Sequence, residues 1–154
     1  MAGIEVGSKC HGWRSRLVRV SWTDSDPEHW RVLELAGADV SRLAAARRWA
    51  DAQLPTLSEA ARCDTVLVVG ELLENAYRHA GGPHQLRIGY QVSPCEVTVA
   101  VADRGTGEPL LRVPHRGGGR GLLLVDAVCA AWGVSRHDDG KLVWGRLDCE
   151  TSGP

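Results

Sequence analysis

The chain has 154 residues, of which 44% are hydrophobic, and this size and composition suit one domain with a buried core. Its 18 basic and 19 acidic side chains give a formal net charge of -1, so charge gives no reason to expect a nucleic-acid or membrane partner. No basic segment followed by an apolar stretch opens the sequence. We therefore expect a soluble cytoplasmic protein.

The cysteines and histidines do not indicate a metal site or a disulfide framework. Five cysteines are scattered along the chain without a CxxC pair, and we interpret them as small buried or surface residues. The motifs HExxH and GxSxG are also missing from the sequence, which argues against metal hydrolases and serine hydrolases. The cysteines are Cys10, Cys63, Cys95, Cys129 and Cys149.

The first part of the chain has no sustained hydrophobic periodicity. We interpret residues 1–28 as a lead-in, in which residues 17–22 could add one strand. The domain itself is expected over residues 29–149, followed by a short tail over residues 150–154. Within the domain, Trp30–Leu35 is typical of a strand.

Two helices are predicted next. Asp39 or Ser41 can cap a helix that continues until Pro55 ends it. The segment Thr56–Glu59 has the spacing of a capping box, and a second helix is expected from about Asp64 to Ala80 because Gly81 and Gly82 follow.

The second helix carries a polar face with an unusual set of side chains. At about 100° per residue, Glu71, Asn75 and Arg78 lie together on the side opposite the apolar residues. A carboxylate can act as a general base, an amide oxygen can ligate Mg²⁺, and a guanidinium suits phosphate. The pattern fits a Mg-nucleotide site or an ordinary amphipathic helix with a solvated face. The apolar residues are Val69, Leu72, Leu73, Ala76 and Ala80.

The rest of the chain predicts strands and one more helix. Residues 86–92 and 97–101 alternate around Ser93-Pro94, as in an antiparallel hairpin. A glycine-rich stretch over residues 104–120 is a candidate lid or binding loop. Helical spacing then runs over Leu122–Trp132, with Gly133 as its stop.

A second hairpin is expected at the end of the chain, where residues 134–137 and 141–147 flank Asp139-Gly140. This order of elements fits an α+β two-layer sandwich, with helices on one face of a mixed, mainly antiparallel sheet.

Two glycine-rich segments could approach a ligand. Asp103 ends a hydrophobic strand just before Gly105 and Gly107, so it could accept a hydrogen bond from an amino group such as adenine N6, or simply cap a turn. Residues 117–122 lead into a helix, whose free N–H groups can hold phosphate. Neither the GxGxxG nor the P-loop pattern is satisfied, which argues against Rossmann and Walker-type sites.

Three motifs follow one another along the chain: the polar helix, the Asp-x-Gly-x-Gly strand end and the Gly-x-Gly-Leu helix start. Together they resemble the N, G1 and G2 boxes of the GHKL ATPase superfamily, which has the Bergerat fold. Residues 70–83 and 119–144 are most similar to small stand-alone histidine-kinase-like ATPases related to bacterial anti-sigma-factor serine/threonine kinases. The resemblance spans about residues 30–147.

The resemblance implies ATP and Mg²⁺ as ligands and assigns roles to individual residues. Glu71 would be the general base, Asn75 the Mg²⁺ ligand, Arg78 a phosphate contact and Asp103 the acceptor for the adenine amino group. The other positions that it assigns to nucleotide binding are His79, Gly105, Gly107, Arg116, Gly119, Arg120, Gly121 and Leu122. The arginines would add charge on the lid, and the histidine would border the ribose or pack at the helix end.

Three positions depart from the family pattern. Gly70 stands where the family often has serine, and Glu74 stands where it has threonine, and neither change removes a named ligand. Leu142 stands where the family usually carries a threonine whose hydroxyl supports the adenine. Loss of this hydroxyl hydrogen bond costs about 0.5 to 1.5 kcal/mol, so we predict weaker nucleotide binding.

The resemblance also implies a function and partners. The leading hypothesis is an ATP-dependent serine/threonine kinase that phosphorylates a small antagonist protein. The protein would be a homodimer that holds or releases a sigma factor. The alternative is a nucleotide-binding module that sequesters a regulator without transferring phosphate.

Overall fold

The computed structural model describes residues 4–8, 30–35, 39–79, 81–105, 120–137 and 140–150. These residues form six strands and three helices. In chain order the elements are β1 (Ile4–Ser8), β2 (Arg31–Glu34), α1 (Arg42–Ala52), α2 (Glu59–His79), β3 (Pro83–Gln91), β4 (Glu96–Asp103), α3 (Arg120–Val128), β5 (Ala131–His137) and β6 (Gly140–Asp148). The predicted α+β class is confirmed.

The strands form one sheet in the order β1-β5-β6-β4-β3-β2. Every pairing between neighbouring strands of this sheet is antiparallel. Side chains alternate between the two faces of a strand, and on β4 the residues Val97, Val99 and Val101 face the helices. The helices therefore cover one face, as expected for a two-layer sandwich.

Helix α2 lies at the centre of the helical layer. It packs on β4 and β6 and is flanked by α1 and α3. Its apolar side is buried in the main core, as the periodicity predicted, and the buried residues include Val68, Val69, Leu72, Leu73 and Ala76. The opposite face of the sheet carries a smaller buried cluster, formed by Ala100, Ala102, Ala131, Leu142 and Trp144.

The start of α2 lies earlier than the sequence indicated. The helix begins at Glu59 instead of about Asp64, and it is capped by Ser58, whose Oγ accepts a hydrogen bond from the Ala61 N–H at 3.2 Å. Thr56 lies three residues before the first helical residue, and its hydroxyl donates to the Tyr90 hydroxyl oxygen at 3.4 Å. The capping motif is therefore shifted by two residues from the predicted position.

The predicted helix over residues 122–132 is present as α3, but it ends at Val128 instead of Trp132. The Cys129 N–H still donates to Val125 O at 2.8 Å, but the Ala130 N–H donates to Arg146 O, which belongs to β6. The chain thus changes from helical to sheet hydrogen bonding at Ala130. Trp132 and the expected stop at Gly133 lie inside β5, where Gly133 pairs with Trp144.

The expectation of unpaired cysteines was also wrong. Cys95, in the β3–β4 turn, and Cys149, just after β6, form a disulfide with Cα atoms 5.1 Å apart. Of the other cysteines in the described ranges, Cys63 is exposed and Cys129 is buried, and neither forms a disulfide.

The N-terminal segment contributes more than a lead-in. Residues 4–8 pair with β5 as strand β1. The expected strand at residues 17–22 lies outside the described residues. Among the helices that the structure describes, none combines the length and apolar character needed to cross a bilayer.

Candidate functional site

The polar face of α2 is directed away from the core, as the sequence predicted. Glu71, Glu74 and Asn75 are half-buried, and Arg78 is exposed near the helix end. The four side chains occupy neighbouring turns of one helix because residues three and four apart share a face. This arrangement places a carboxylate one turn before an amide, with a guanidinium beyond both.

The environment of Glu71 favours its protonated form. Burial raises the pKa of the Glu71 carboxyl above its ordinary value of 4.5, and the nearby Glu74 carboxylate raises this pKa further. The positive charges of Arg47 and Arg78 act in the opposite direction. A carboxylate with a raised pKa is better suited to accept a proton than an ordinary surface glutamate.

Arg47 contacts both Gly70 and Glu74 and accounts for these two residue types. The sequence analysis did not identify Arg47 as a site residue. The Arg47 side chain crosses from α1 over Gly70, and one of its terminal nitrogens lies 3.3 Å from Glu74 Oε1. A Cβ atom at residue 70 would lie 2.6 Å from Arg47 Nε. The two departures from the family pattern therefore belong together, because the glycine leaves space for the arginine that the glutamate pairs with.

Asp103 lies at the end of the sheet where the chain passes from α2 into β3. The helix ends at His79, the Gly82 N–H donates to Ala76 O, and the chain then enters β3 at Pro83. Pro83 is the register partner of Asp103 on β4. The last turn of α2 and the Asp103 carboxylate therefore lie at the same end of the sheet.

The Asp103 carboxylate is buried and paired with Lys141. The Lys141 Nζ donates to Asp103 Oδ1 at 2.9 Å, and the side chains are 2% and 0% exposed. The Gly105 N–H also donates to Oδ1, at 2.9 Å. The other oxygen, Oδ2, is buried and has no hydrogen-bond partner among the described residues. Sequence reasoning missed Lys141, although a lysine directly before the apolar run Leu142–Trp144 was a usable signal.

Leu142 does not lie beside Asp103. It follows Lys141 on β6 and points to the opposite face, where it joins the smaller buried cluster with Ala102 and Trp144. The expectation that Leu142 weakens nucleotide binding stays a prediction, and in this structure the residue that contacts Asp103 is Lys141.

The predicted phosphate end is described only in part. Gly121 and Leu122 lie in the first turn of α3, and Leu122 is buried in the main core. The N–H groups of a first helical turn have no partner within the helix, so they are free to hold an anion. The backbones of Arg120 and His79 belong to helices, but their side chains are outside the described part. Gly107, Arg116 and Gly119 also lie outside the described residues.

A comparison with known protein families identifies the family of this chain. The sequence model of the histidine kinase-like ATPase domain matches residues 36–146, which include α1, α2, the β3–β4 hairpin and α3. The chain belongs to the histidine kinase-like ATPase family. Membership supports a GHKL-type ATPase domain that binds ATP. A comparison with curated protein sequences gave no significant match.

The residues of this histidine kinase-like ATPase domain fit an adenine nucleotide. Asp103 Oδ2 is a buried acceptor without a donor among the described residues, and the amino group of adenine is a donor. Leaving such an atom unpaired costs about 1 to 3 kcal/mol, which a bound amino group would recover. The roles of the individual site residues remain predictions.

Proposed function

We propose that the protein binds Mg-ATP and acts as an anti-sigma-type serine/threonine kinase on a small antagonist protein. The observation that carries the proposal is Glu71, a half-buried carboxylate with a raised pKa one helical turn before Asn75. A general base and a hard oxygen ligand on one helix face are the two groups that phosphoryl transfer to a hydroxyl requires from this region.

Each side chain would have a separate task. Glu71 would take the proton from the acceptor hydroxyl, and the Asn75 amide oxygen would ligate Mg²⁺. Asp103 would hold the base through Oδ2, and the first turn of α3 would offer backbone N–H groups to phosphate oxygens. Mg-ATP would supply the phosphoryl group and the cation that neutralises its charge.

The proposal includes protein partners and a homodimer. In the implied partner switch, the domain binds a sigma factor or an antagonist, and phosphorylation of the antagonist decides which one it holds. Support for this step comes from the sequence resemblance to anti-sigma kinases.

The test is transfer of a labelled γ-phosphate. The protein is incubated with γ-labelled Mg-ATP and candidate antagonist proteins, together with the variants Glu71→Gln and Asn75→Ala. We expect label on a serine or threonine of one antagonist, and a loss of about 100-fold or more in Glu71→Gln, because general-base catalysis contributes about that much.

Glu74→Gln is the matched control, since it removes a neighbouring carboxylate from the same helix face. It should retain transfer within a few-fold. If ATP binds but no candidate is labelled by the wild-type protein, the non-catalytic regulatory module becomes the better explanation. If millimolar Mg-ATP gives no thermal stabilisation, nucleotide binding itself is contradicted.

A further inference from the structure

The pairing of Lys141 with Asp103 is a buried ion pair built into the sheet. The two residues are register partners on β6 and β4, and their side chains lie on the helix-covered face. Each is almost completely excluded from solvent, at 2% and 0% exposure. A buried charge is strongly unfavourable unless a counter-ion accompanies it, and Lys141 supplies that counter-ion to Asp103.

The backbone of the β5–β6 turn is shaped to make this pairing possible. Gly140 has φ of +144°, a conformation that side chains disfavour. A Cβ atom there would lie 2.0 Å from the Asp103 carbonyl oxygen and 2.8 Å from Arg104 Cα. Glycine therefore lets β6 begin directly against Asp103, and Lys141 is the next residue.

The described donors occupy only one side of the carboxylate. Lys141 Nζ and the Gly105 N–H both donate to Oδ1, each at 2.9 Å. Oδ2 is buried and has no described partner. With its charge balanced and Oδ1 engaged, Asp103 presents a single oxygen that can only accept a hydrogen bond.

We propose that Lys141 is a positioning residue that determines base specificity by keeping Asp103 Oδ2 a pure acceptor. A pure acceptor pairs with the 6-amino group of adenine and opposes the 6-carbonyl of guanine or hypoxanthine, which is itself an acceptor. The inference rests on the proposed ATP binding and adds the residue that makes the site select adenine.

Removing the ammonium group of Lys141 should reverse the preference for a 6-amino group over a 6-carbonyl group. In Lys141→Met the carboxylate would be buried without a counter-ion, and a buried lone carboxyl takes up a proton. The Gly105 N–H continues to donate to Oδ1, so the proton resides on Oδ2. The atom facing the ligand then becomes a donor, which suits a 6-carbonyl and opposes a 6-amino group.

The experiment measures dissociation constants for Mg-ATP and Mg-ITP by calorimetry near neutral pH. The wild-type protein should prefer ATP, and the ratio of ATP to ITP affinity should fall by about tenfold or more in Lys141→Met. Arg146→Met is the matched control, because Arg146 also joins β6 to β4, through a partly exposed ion pair with Glu96 at 3.6 Å. It should keep the wild-type ratio.

A double variant covers the case in which Lys141→Met does not fold. Asp103→Asn combined with Lys141→Met contains no charge at this pair, and the Gly105 N–H should orient the amide oxygen at the Oδ1 position. The amide NH₂ then faces the ligand, so this variant should also favour ITP.

Three outcomes contradict the scheme in different ways. If Lys141→Met weakens ATP and ITP by the same factor, Lys141 has only a structural role and the inference is wrong. If the folded double variant keeps the wild-type preference for ATP, the atom at the Oδ2 position does not contact the base, and the inference is wrong for that reason. Failure of the wild-type protein to bind either nucleotide overturns the proposed function and the inference together.

Discussion

The raised pKa of Glu71 makes a prediction about stability as well as about catalysis. Burial and the Glu74 charge raise this pKa in the folded protein, so the folded state holds the proton more tightly than the unfolded state. The stabilising contribution is complete below about pH 4.5, the ordinary pKa of the group, and is lost as the pH rises through the raised value. The ionised Glu71 therefore costs stability at neutral pH.

Glu71→Gln should remove this cost. We expect the variant to be more stable than the wild type at neutral pH by less than about 1 kcal/mol, since solvent screens a half-exposed carboxylate. The gain should shrink towards pH 4.5. The measurement is urea unfolding at several pH values, with Glu74→Gln as the control that loses the Arg47 ion pair instead. A gain that does not change with pH would contradict the assigned cause.

At the scale of elements, the contact between α1 and α2 depends on a glycine in the middle of a helix. Glycine in a helix interior costs about 0.5 to 1 kcal/mol relative to alanine. At Gly70 this cost accompanies the space that Arg47 needs to reach Glu74. The arginine and the glutamate are 39% and 36% exposed, so their attraction is worth at most about 1 kcal/mol.

A double-mutant cycle tests this coupling. Gly70→Ala in the wild type should change stability little, because the helix gains propensity while Arg47 is displaced from Glu74. In an Arg47→Ala background the same change should stabilise by about 0.5 to 1 kcal/mol. Denaturant unfolding of the four proteins measures the interaction term. Effects that simply add would show that Arg47 does not occupy the space above Gly70.

The elements that the sequence predicted well are those with one unambiguous period. Helix α2 repeats its apolar residues over several turns, and β3 and β4 alternate on both sides of Ser93-Pro94. The segment after Leu122 was ambiguous, because Cys129 and Trp132 fit a helical spacing while Trp132 and Val134 also fit a strand. The Ala130 N–H bond to Arg146 O settles this in favour of β5, and sequence spacing does not contain that contact.

The same distinction between patterns within one element and contacts between elements applies to the site residues. Glu71, Asn75 and Arg78 could be predicted together because one helix presents them on one face. Lys141 could not be placed beside Asp103, because that pairing depends on the register between β6 and β4. A shift of one residue would have placed Leu142 there instead.

At the scale of the whole molecule, the disulfide ties the chain beyond β6 to the rest of the domain. Besides the bond, the Cys149 N–H donates to Cys95 O at 3.1 Å, and the Ser58 N–H donates to Glu150 O at 3.0 Å. The segment after β6 is therefore attached to the β3–β4 turn and to the start of α2. Cytosolic thiols are kept reduced, so the bond contributes only where conditions are oxidising.

Removing the bond should lower stability without changing nucleotide affinity. The cysteines are 54 residues apart in sequence, and closing a loop of that size stabilises by about 2 to 4 kcal/mol. Asp103 lies at the far end of β4, about 26 Å from Cys95 at 3.3 Å per residue. We expect Cys95→Ser with Cys149→Ser to lower the guanidinium midpoint, as dithiothreitol should in the wild type, while the dissociation constant for Mg-ATP stays within twofold.

Cys63→Ser is the control for a free exposed thiol. A midpoint that dithiothreitol leaves unchanged would show that the bond does not form in solution.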